Sequence, residues 1–457
     1  MGNKGNPGLK TGALSLTDCI MIAVGGMVGS SIFTLSGVTY SLAGPAAILS
    51  WVIGGGILFL YALNVAELAT TFPRTGGLYV YPYEVLGSTL PQRTFFGWLA
   101  AWSWINVTVL GTAFSAIFVA NYLASVVPGA DKHVVLVALI WIGLCWLLNV
   151  LGISLMGKTN LVLTVILIGI CVFYIAYGLP HIDMNMFSNF FAGGYMGTKG
   201  IIASIPMAML AYGSVIAVAS VAEEIRDPKK TIPKAMGLSV LITVLMYTLI
   251  LFVTYGIVPW KEITPDSFAY YAPLHYAVVK YAPAKVWLST LISVGALLAI
   301  TTTMLVMVMD AGRTVMAIAQ SGFLPKSLAK VHERYQTPAV ALTVVSATAC
   351  IIACFPQFIM QIIGTGSFTS GVMVGIIAIT LIATRLKNIK SEGAFKVPGG
   401  YIVPFITLIV LVIVLSQLPK DSFTLSGWWY LIAIVYYIIK YPALKSDKKG
   451  GVFIKQQ

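Results

Sequence analysis

The sequence predicts an all-α membrane protein of about twelve transmembrane helices, and three observations predict it. The composition is too poor in charge for a soluble surface. Long apolar runs recur at bilayer-spanning length. Two of those runs, the first and the sixth, carry breaks at corresponding places in the chain.

Of 457 residues, 58% are hydrophobic and only 9% are charged, and the mean hydropathy is +0.91. Soluble domains carry roughly 25% charged residues, so lipid rather than water is the natural solvent. A helix needs about 20 apolar residues to cross the hydrocarbon core. Spans are expected near 16–41, 46–71, 93–125, 133–152, 157–179, 200–222, 233–258, 284–318, 338–355, 359–383, 400–418 and 426–443. The first apolar run is long and follows a polar start bearing Lys4 and Lys10, so a removable signal peptide is not expected.

The net charge of +13 could suggest a nucleic-acid partner, but its placement points elsewhere. With both termini inside, the external loops hold Lys132, Lys199, Lys261, Lys280, Lys285 and Lys420. The other 22 of 28 basic residues lie on or near the cytoplasmic side, in segments such as 226–234, 326–334, 385–396 and the tail after Lys440. That asymmetry is the positive-inside rule and gives a multi-pass cell-membrane orientation with no nucleic acid involved.

No separate soluble domain is expected. The chain reads as one membrane domain, with repeats at 12–180 and 199–383 and two further helices over 399–443. Segment 259–283, rich in tyrosine and proline, reads either as a short helical lid or as a packed loop. The five cysteines sit in apolar runs without a CxxC, and Cys350 and Cys354 read as packing residues. The histidines are not at metal-ligand spacing, so no metal and no cofactor are expected. The chain has no GxxxxGK[ST] for direct nucleotide drive, and no paired nucleophile and base at membrane depth, so an enzyme is not expected.

The breaks carry the functional reading. Span 1 contains Gly25-Gly26-Met27-Val28-Gly29-Ser30-Ser31-Ile32, a poor helix interior. Span 6 contains Ala211-Tyr212-Gly213-Ser214-Val215-Ile216, with Pro206 upstream. Each alone could be a close helix contact through small residues. Together they begin two successive sets of five spans, the pattern of inverted-repeat transporters with a midplane site. A broken helix frees amides at the start of its second half, so Gly29, Ser30 and Ser31 suit a carboxylate. Carbonyls near Leu210, Ala211 and Gly213 suit an ammonium. No acid or base lies close to either break: Glu67, Glu223, Glu224 and Asp310 read as salt-bridge or gate residues, Asp310 at ion-pair spacing from Arg313. A neutral substrate follows. A channel is the rival of a different class.

Gly29-Ser30-Ser31-Ile32-Phe33 resembles the GSGIF segment of the amino acid–polyamine–organocation (APC) transporter superfamily. Further matches follow in family order: Glu67-Leu68-Ala69 with Gly76-Gly77-Leu78-Tyr79, then Glu223-Glu224-Ile225-Arg226-Asp227-Pro228, then Arg313 with Gly322-Phe323-Leu324-Pro325. The resemblance implies a LeuT-like fold of five-plus-five inverted repeats, alternating access, and amino acids or their amines as substrates. It implies carboxylate contacts at Ser30, Ser31 and Ile32, amine contacts at Ala211, Tyr212 and Gly213, and a gate at Leu210. Met307 and Asn106 would face the substrate from spans 8 and 3. Thr302 and Thr303 could serve a coupling cation or simply satisfy helix carbonyls. Leu167 holds the place where many members carry a helix-five lysine that stands in for a cation, and Lys158, nine residues earlier, reads either as an ordinary positive-inside lysine or as that stand-in. Ile216 occupies the place where antiporters of cationic amino acids and polyamines tend to carry a glutamate, which argues against a cationic substrate. Sodium coupling, proton coupling and obligatory exchange, including amino acid–amine antiport, all stay open at this point.

Overall fold

The structure, a computed structural model, describes residues 11–124, 126–265 and 267–446. Lys4, Lys10 and the basic tail beyond residue 446 lie outside the described residues. The described chain is helical, and its β-type pairing is a single parallel bridge between Leu14 and Ile225.

The helices are α1 (Leu16–Met27), α2 (Ser30–Ala43), α3 (Ala47–Thr71), α4 (Gly77–Val85), α5 (Leu90–Leu123), α6 (Val134–Val150) and α7 (Ile153–Gly178), followed by α8 (Thr198–Leu210) and α9 (Ala217–Ser220). After these come α10 (Pro228–Ile257), α11 (Phe268–Tyr271), α12 (Pro273–Tyr281), α13 (Val286–Gln320), α14 (Ala339–Ala353), α15 (Ile359–Leu386), α16 (Ile402–Leu415) and α17 (Lys420–Ser446). Among the described residues, nine helical segments are long and apolar enough to cross a membrane, and the shorter α14 and α16 are apolar as well. The first of these segments, Leu16–Thr71, contains both α1–α2 and α3.

Local chemistry sets the helix ends. Ser15 and Asp18 form a capping box that starts α1, the Ser15 amide donating to Asp18 Oδ2 at 2.9 Å. Thr89 and Gln92 do the same for α5. The turn between α6 and α7 is two residues, Leu151 and Gly152, with Gly152 at φ 125°, a conformation that a side chain would strain.

The core is a packed set of broken and long helices. α1 lies against α7, α10 and α13, and α5 lies against α13 and α15. At 34 and 35 residues, α5 and α13 reach roughly 50 Å, well beyond a hydrocarbon core of about 30 Å. The outward faces of α6, α7, α10, α16 and α17 expose Leu136, Val162, Leu245, Val412 and Ile439 among others, as a lipid-facing surface requires. α16 and α17 pack outside the core. Trp102 stacks on Trp429 with ring centroids 4.3 Å apart, and Trp98 Nε1 donates to Ala433 O at 2.9 Å.

Two segments between the expected spans form short helices. Residues 77–85 form α4, which buries Tyr79, Tyr81 and Tyr83 completely. Those three rings give the segment enough apolar area to fold inward. Segment 259–283 forms the short helices α11 and α12, and α11 presses its Tyr270 carbonyl against Gly37 of α2, 2.2 Å from where a Cβ would stand.

Candidate functional site

Both breaks are present, and they meet. α1 ends at Met27 and α2 starts at Ser30, with Gly29 extended at φ −130° and ψ −150° between them. α8 ends at Leu210, the chain tightens into a 3₁₀ turn over Gly213–Ile216, and α9 resumes at Ala217. A Cβ on Gly26 would stand 2.8 Å from the Ser214 side chain and 3.1 Å from Val306. Glycine at 26 is what lets the two interrupted helices and α13 touch.

The first break is held open by its neighbours. Thr303 Oγ1 donates to Gly26 O at 3.0 Å, and the Tyr247 hydroxyl donates to Met27 O. Ser30 and Ser115 share a hydroxyl bond of 2.8 Å between α2 and α5. No side chain caps α2, so the amides of its first turn, at Ser30, Ser31 and Ile32, have no intrahelical acceptor. They carry the positive end of the helix dipole.

A cavity lies beside this helix start. It is small and partly open, with a volume of ≈ 50 Å³. Ser30, Ser31 and Ser115 supply its polar corner. Leu35, Val107, Leu110, Phe114, Leu210, Met307, Ile362 and Ile363 supply apolar walls, closed by Gly111 and Gly366. Among the described residues, no charged side chain lines it. The arrangement can seat a small guest with an anionic or hydrogen-bond-accepting end at α2 and an uncharged apolar remainder.

The cavity collects four of the expected residues, Ser30, Ser31, Leu210 and Met307. Gly29 stands at the cap and Gly213 in the break, where an added Cβ would meet only Trp104, at 3.9 Å. The others are elsewhere. Ile32 and Ala211 are buried in the core, and the Tyr212 hydroxyl donates to Trp51 O at 3.1 Å. Asn106 accepts from Thr369 at 2.9 Å behind the cavity wall. Of the coupling candidates, Thr303 bonds Gly26 O in the first break, Thr302 donates to Ala299 O of its own helix, and Lys158 is exposed on α7. Val107, Leu110, Gly111, Phe114 and Ser115 went unremarked in the sequence. Their 107/110/111/114/115 spacing marks one face of α5, but nothing local shows what that face meets.

Each end of the bundle is closed by contacts between distant segments. Where α1 begins, Leu14 N donates to Glu224 O and Arg226 N to Leu14 O, both at 2.9 Å. Arg313 forks onto Glu224, Nε to Oε1 at 2.7 Å and Nη2 to Oε2 at 3.2 Å, with both side chains buried. This corrects the expected Asp310–Arg313 pair: Arg313 turns to Glu224, and Asp310 accepts from Trp104 Nε1 at 2.7 Å. Glu67 is held by Arg385 of α15 and by the Val397 amide at 2.6 Å. At the opposite end, Tyr40 stacks on Tyr255 with centroids 3.7 Å apart, and the Tyr122 hydroxyl donates to Phe33 O at 2.6 Å. A vestibule of ≈ 540 Å³ lined by Phe118, Asn121, Tyr271 and Ile359 lies at this end. Phe118 contacts Phe114 of the inner cavity at 4.9 Å.

The family model described as amino acid permease matches residues 14–439. The branched-chain amino acid permease BcaP of Bacillus subtilis is 25% identical over 93% of this chain and 92% of its own length. The methylthioribose transporter of the same organism is 25% identical over the same shares. The mitochondrial cationic amino acid transporter 3 of Arabidopsis thaliana is 27% identical over 82% of this chain and 62% of its own. With its apolar, multi-pass helical build, this chain belongs to the amino acid permease family of the APC superfamily and is an amino-acid transporter rather than an enzyme.

Proposed function

We propose that this protein is a secondary transporter that moves a neutral, aliphatic amino acid across the cell membrane by alternating access. One observation carries the reading: the cavity beside the uncapped start of α2 is walled by aliphatic and aromatic side chains and lined by no charged one. The α2 amides of Ser30, Ser31 and Ile32 take the substrate carboxylate. Backbone carbonyls at Leu210, Ala211 and Gly213, where α8 ends, take the ammonium. Leu210 and Met307 shape the space for the side chain, with Tyr212 and Asn106 supporting from behind. A cationic side chain would enter a cavity that offers it no carboxylate, at a large desolvation cost.

In this reading the helices make twelve spans in a LeuT-like arrangement, α1–α7 and α8–α15 as two inverted five-span repeats and α16–α17 outside them. Both termini face the cytoplasm, by the distribution of lysine and arginine. The breaks in spans 1 and 6, in contact through Gly26 and Ser214, support the repeat.

Uptake into proteoliposomes tests it. Labelled leucine, isoleucine or valine is expected to accumulate with saturation and to exchange with unlabelled substrate inside the vesicle. Excess lysine and methylthioribose are expected to compete poorly. Stronger competition by lysine or methylthioribose than by leucine would overturn the substrate class, and unsaturable flux without counterflow would indicate a channel.

The cavity wall gives a selective variant. A Cβ on Gly366 meets no atom within 4 Å, so Gly366→Val fills part of the cavity with little strain on α15. Leucine uptake is expected to fall at least about tenfold while alanine is spared, since a well-fitted pocket discriminates by roughly 1–3 kcal/mol per methylene. Equal losses for leucine and alanine would show that the substrate side chain sits elsewhere.

A further inference from the structure

Asp310 is a carboxyl left without its counter-ion. It lies on α13 one turn from Met307 of the cavity and is 1% exposed. Oδ2 accepts from Trp104 Nε1 at 2.7 Å, while Oδ1 has no hydrogen-bond partner among the described residues. The groups around it come from five elements: Tyr61 of α3, Tyr81 of α4, Trp104 of α5, Ser220 of α9, and Arg313 of α13 itself. The Tyr61 and Tyr81 hydroxyls have no partner either, and the Ser220 hydroxyl donates to Ala217 O. Arg313, the cation of this set, spends both prongs of its fork on Glu224.

A buried carboxylate whose hydrogen-bonding neighbours are neutral, and whose nearby Arg313 is committed to Glu224, is costly to keep charged. Binding a proton removes that cost. Trp104 connects this carboxyl to the span-6 break, because its indole nitrogen holds Asp310 and its far ring edge lies 3.9 Å from where a Gly213 side chain would begin. The indole that holds Asp310 is thus packed beside the 211–216 break, where a change in the break's shape bears on that donor.

Resting on the transport reading above, we propose that Asp310 is the proton-binding site that couples substrate movement to a proton gradient, with Trp104 as its positioning residue. A proton from the acidic side forms an O–H bond on Asp310. It is released to the other side when the span-6 break has changed shape. No other bond is made or broken.

The experiment uses the full-length protein in proteoliposomes with labelled leucine. Counterflow by the wild type tests the transport reading alone, and its absence would sink that reading without bearing on Asp310. With the interior one pH unit more alkaline and no sodium, the wild type is expected to accumulate leucine up to about tenfold, the limit for one proton per substrate. Asp310→Asn is expected to keep counterflow and lose accumulation, bringing the inside-to-outside ratio to about one. Asp310→Glu is expected to regain part of it. Trp104→Phe removes the donor but keeps the ring, and is expected to shift the external-pH midpoint of uptake. Three results would overturn the proposal: accumulation by Asp310→Asn at the wild-type level, wild-type accumulation that follows sodium rather than pH, or an unshifted midpoint in Trp104→Phe. The last holds even if Asp310→Asn does not fold.

Discussion

Gly29→Ala is expected to lower leucine uptake by more than about tenfold while the protein still inserts and folds. The backbone at Gly29 is extended and would accept alanine. Space is the obstacle. The new Cβ would stand 1.5 Å from Thr303 Oγ1, 2.7 Å from Thr303 Cβ and 3.3 Å from Ala299 O. Thr303 is β-branched on a helix and therefore stiff at χ1, and its hydroxyl is engaged by Gly26 O. Either that bond breaks or the start of α2 moves away from α13. Overpacking of this kind costs typically 1–3 kcal/mol, and a shift of the α2 amides of even 1 Å takes them off a carboxylate. Removing the opposing side chain should restore part of the loss: Gly29→Ala with Thr303→Gly is expected to transport better than Gly29→Ala alone. A double variant no better than the single one would show that α13 is not what fixes the break.

Arg313→Met is expected to be the most destabilising single change in the bundle. Glu224 is fully buried and Arg313 nearly so, and removing one partner of such a pair typically costs 3–5 kcal/mol because the remaining charge has no solvent. Glu224 also accepts the Leu14 amide through its backbone, so its displacement loosens the start of α1 as well. Thermal unfolding in detergent should show a large fall in melting temperature for Arg313→Met. Arg313→Met with Glu224→Gln should recover much of it, since no uncompensated charge is then left. If the double variant melts no higher than the single one, the pair contributes through packing rather than charge.

Much of the architecture was legible because its causes are local. Apolar length gives the spans, and the helices lie where the long apolar runs predict them. Glycine content gives the breaks: residues 25–32 and 211–216 were readable as poor helix, and the α-helices stop inside both. The lone amides at Ser30 and Ser31 follow from any helix start without a capping side chain.

What the sequence left open depends on which faces meet. Asp310 and Arg313 stand one turn apart, and spacing alone makes them partners. The tertiary structure gives Arg313 to Glu224, 89 residues away, and Asp310 to Trp104, 206 residues away. Asn106 and Tyr212 are polar residues near the cavity that packing turns toward Thr369 and Trp51. The aliphatic wall from α5 and α15 carries no local signature, since Val107, Leu110, Ile362 and Ile363 look like any lipid-facing residues in sequence. Composition and glycine placement thus determined that this chain spans a membrane with two interrupted helices. Packing decided which side chains face the gap between them, because helix faces acquire meaning only from the neighbours they are pressed against.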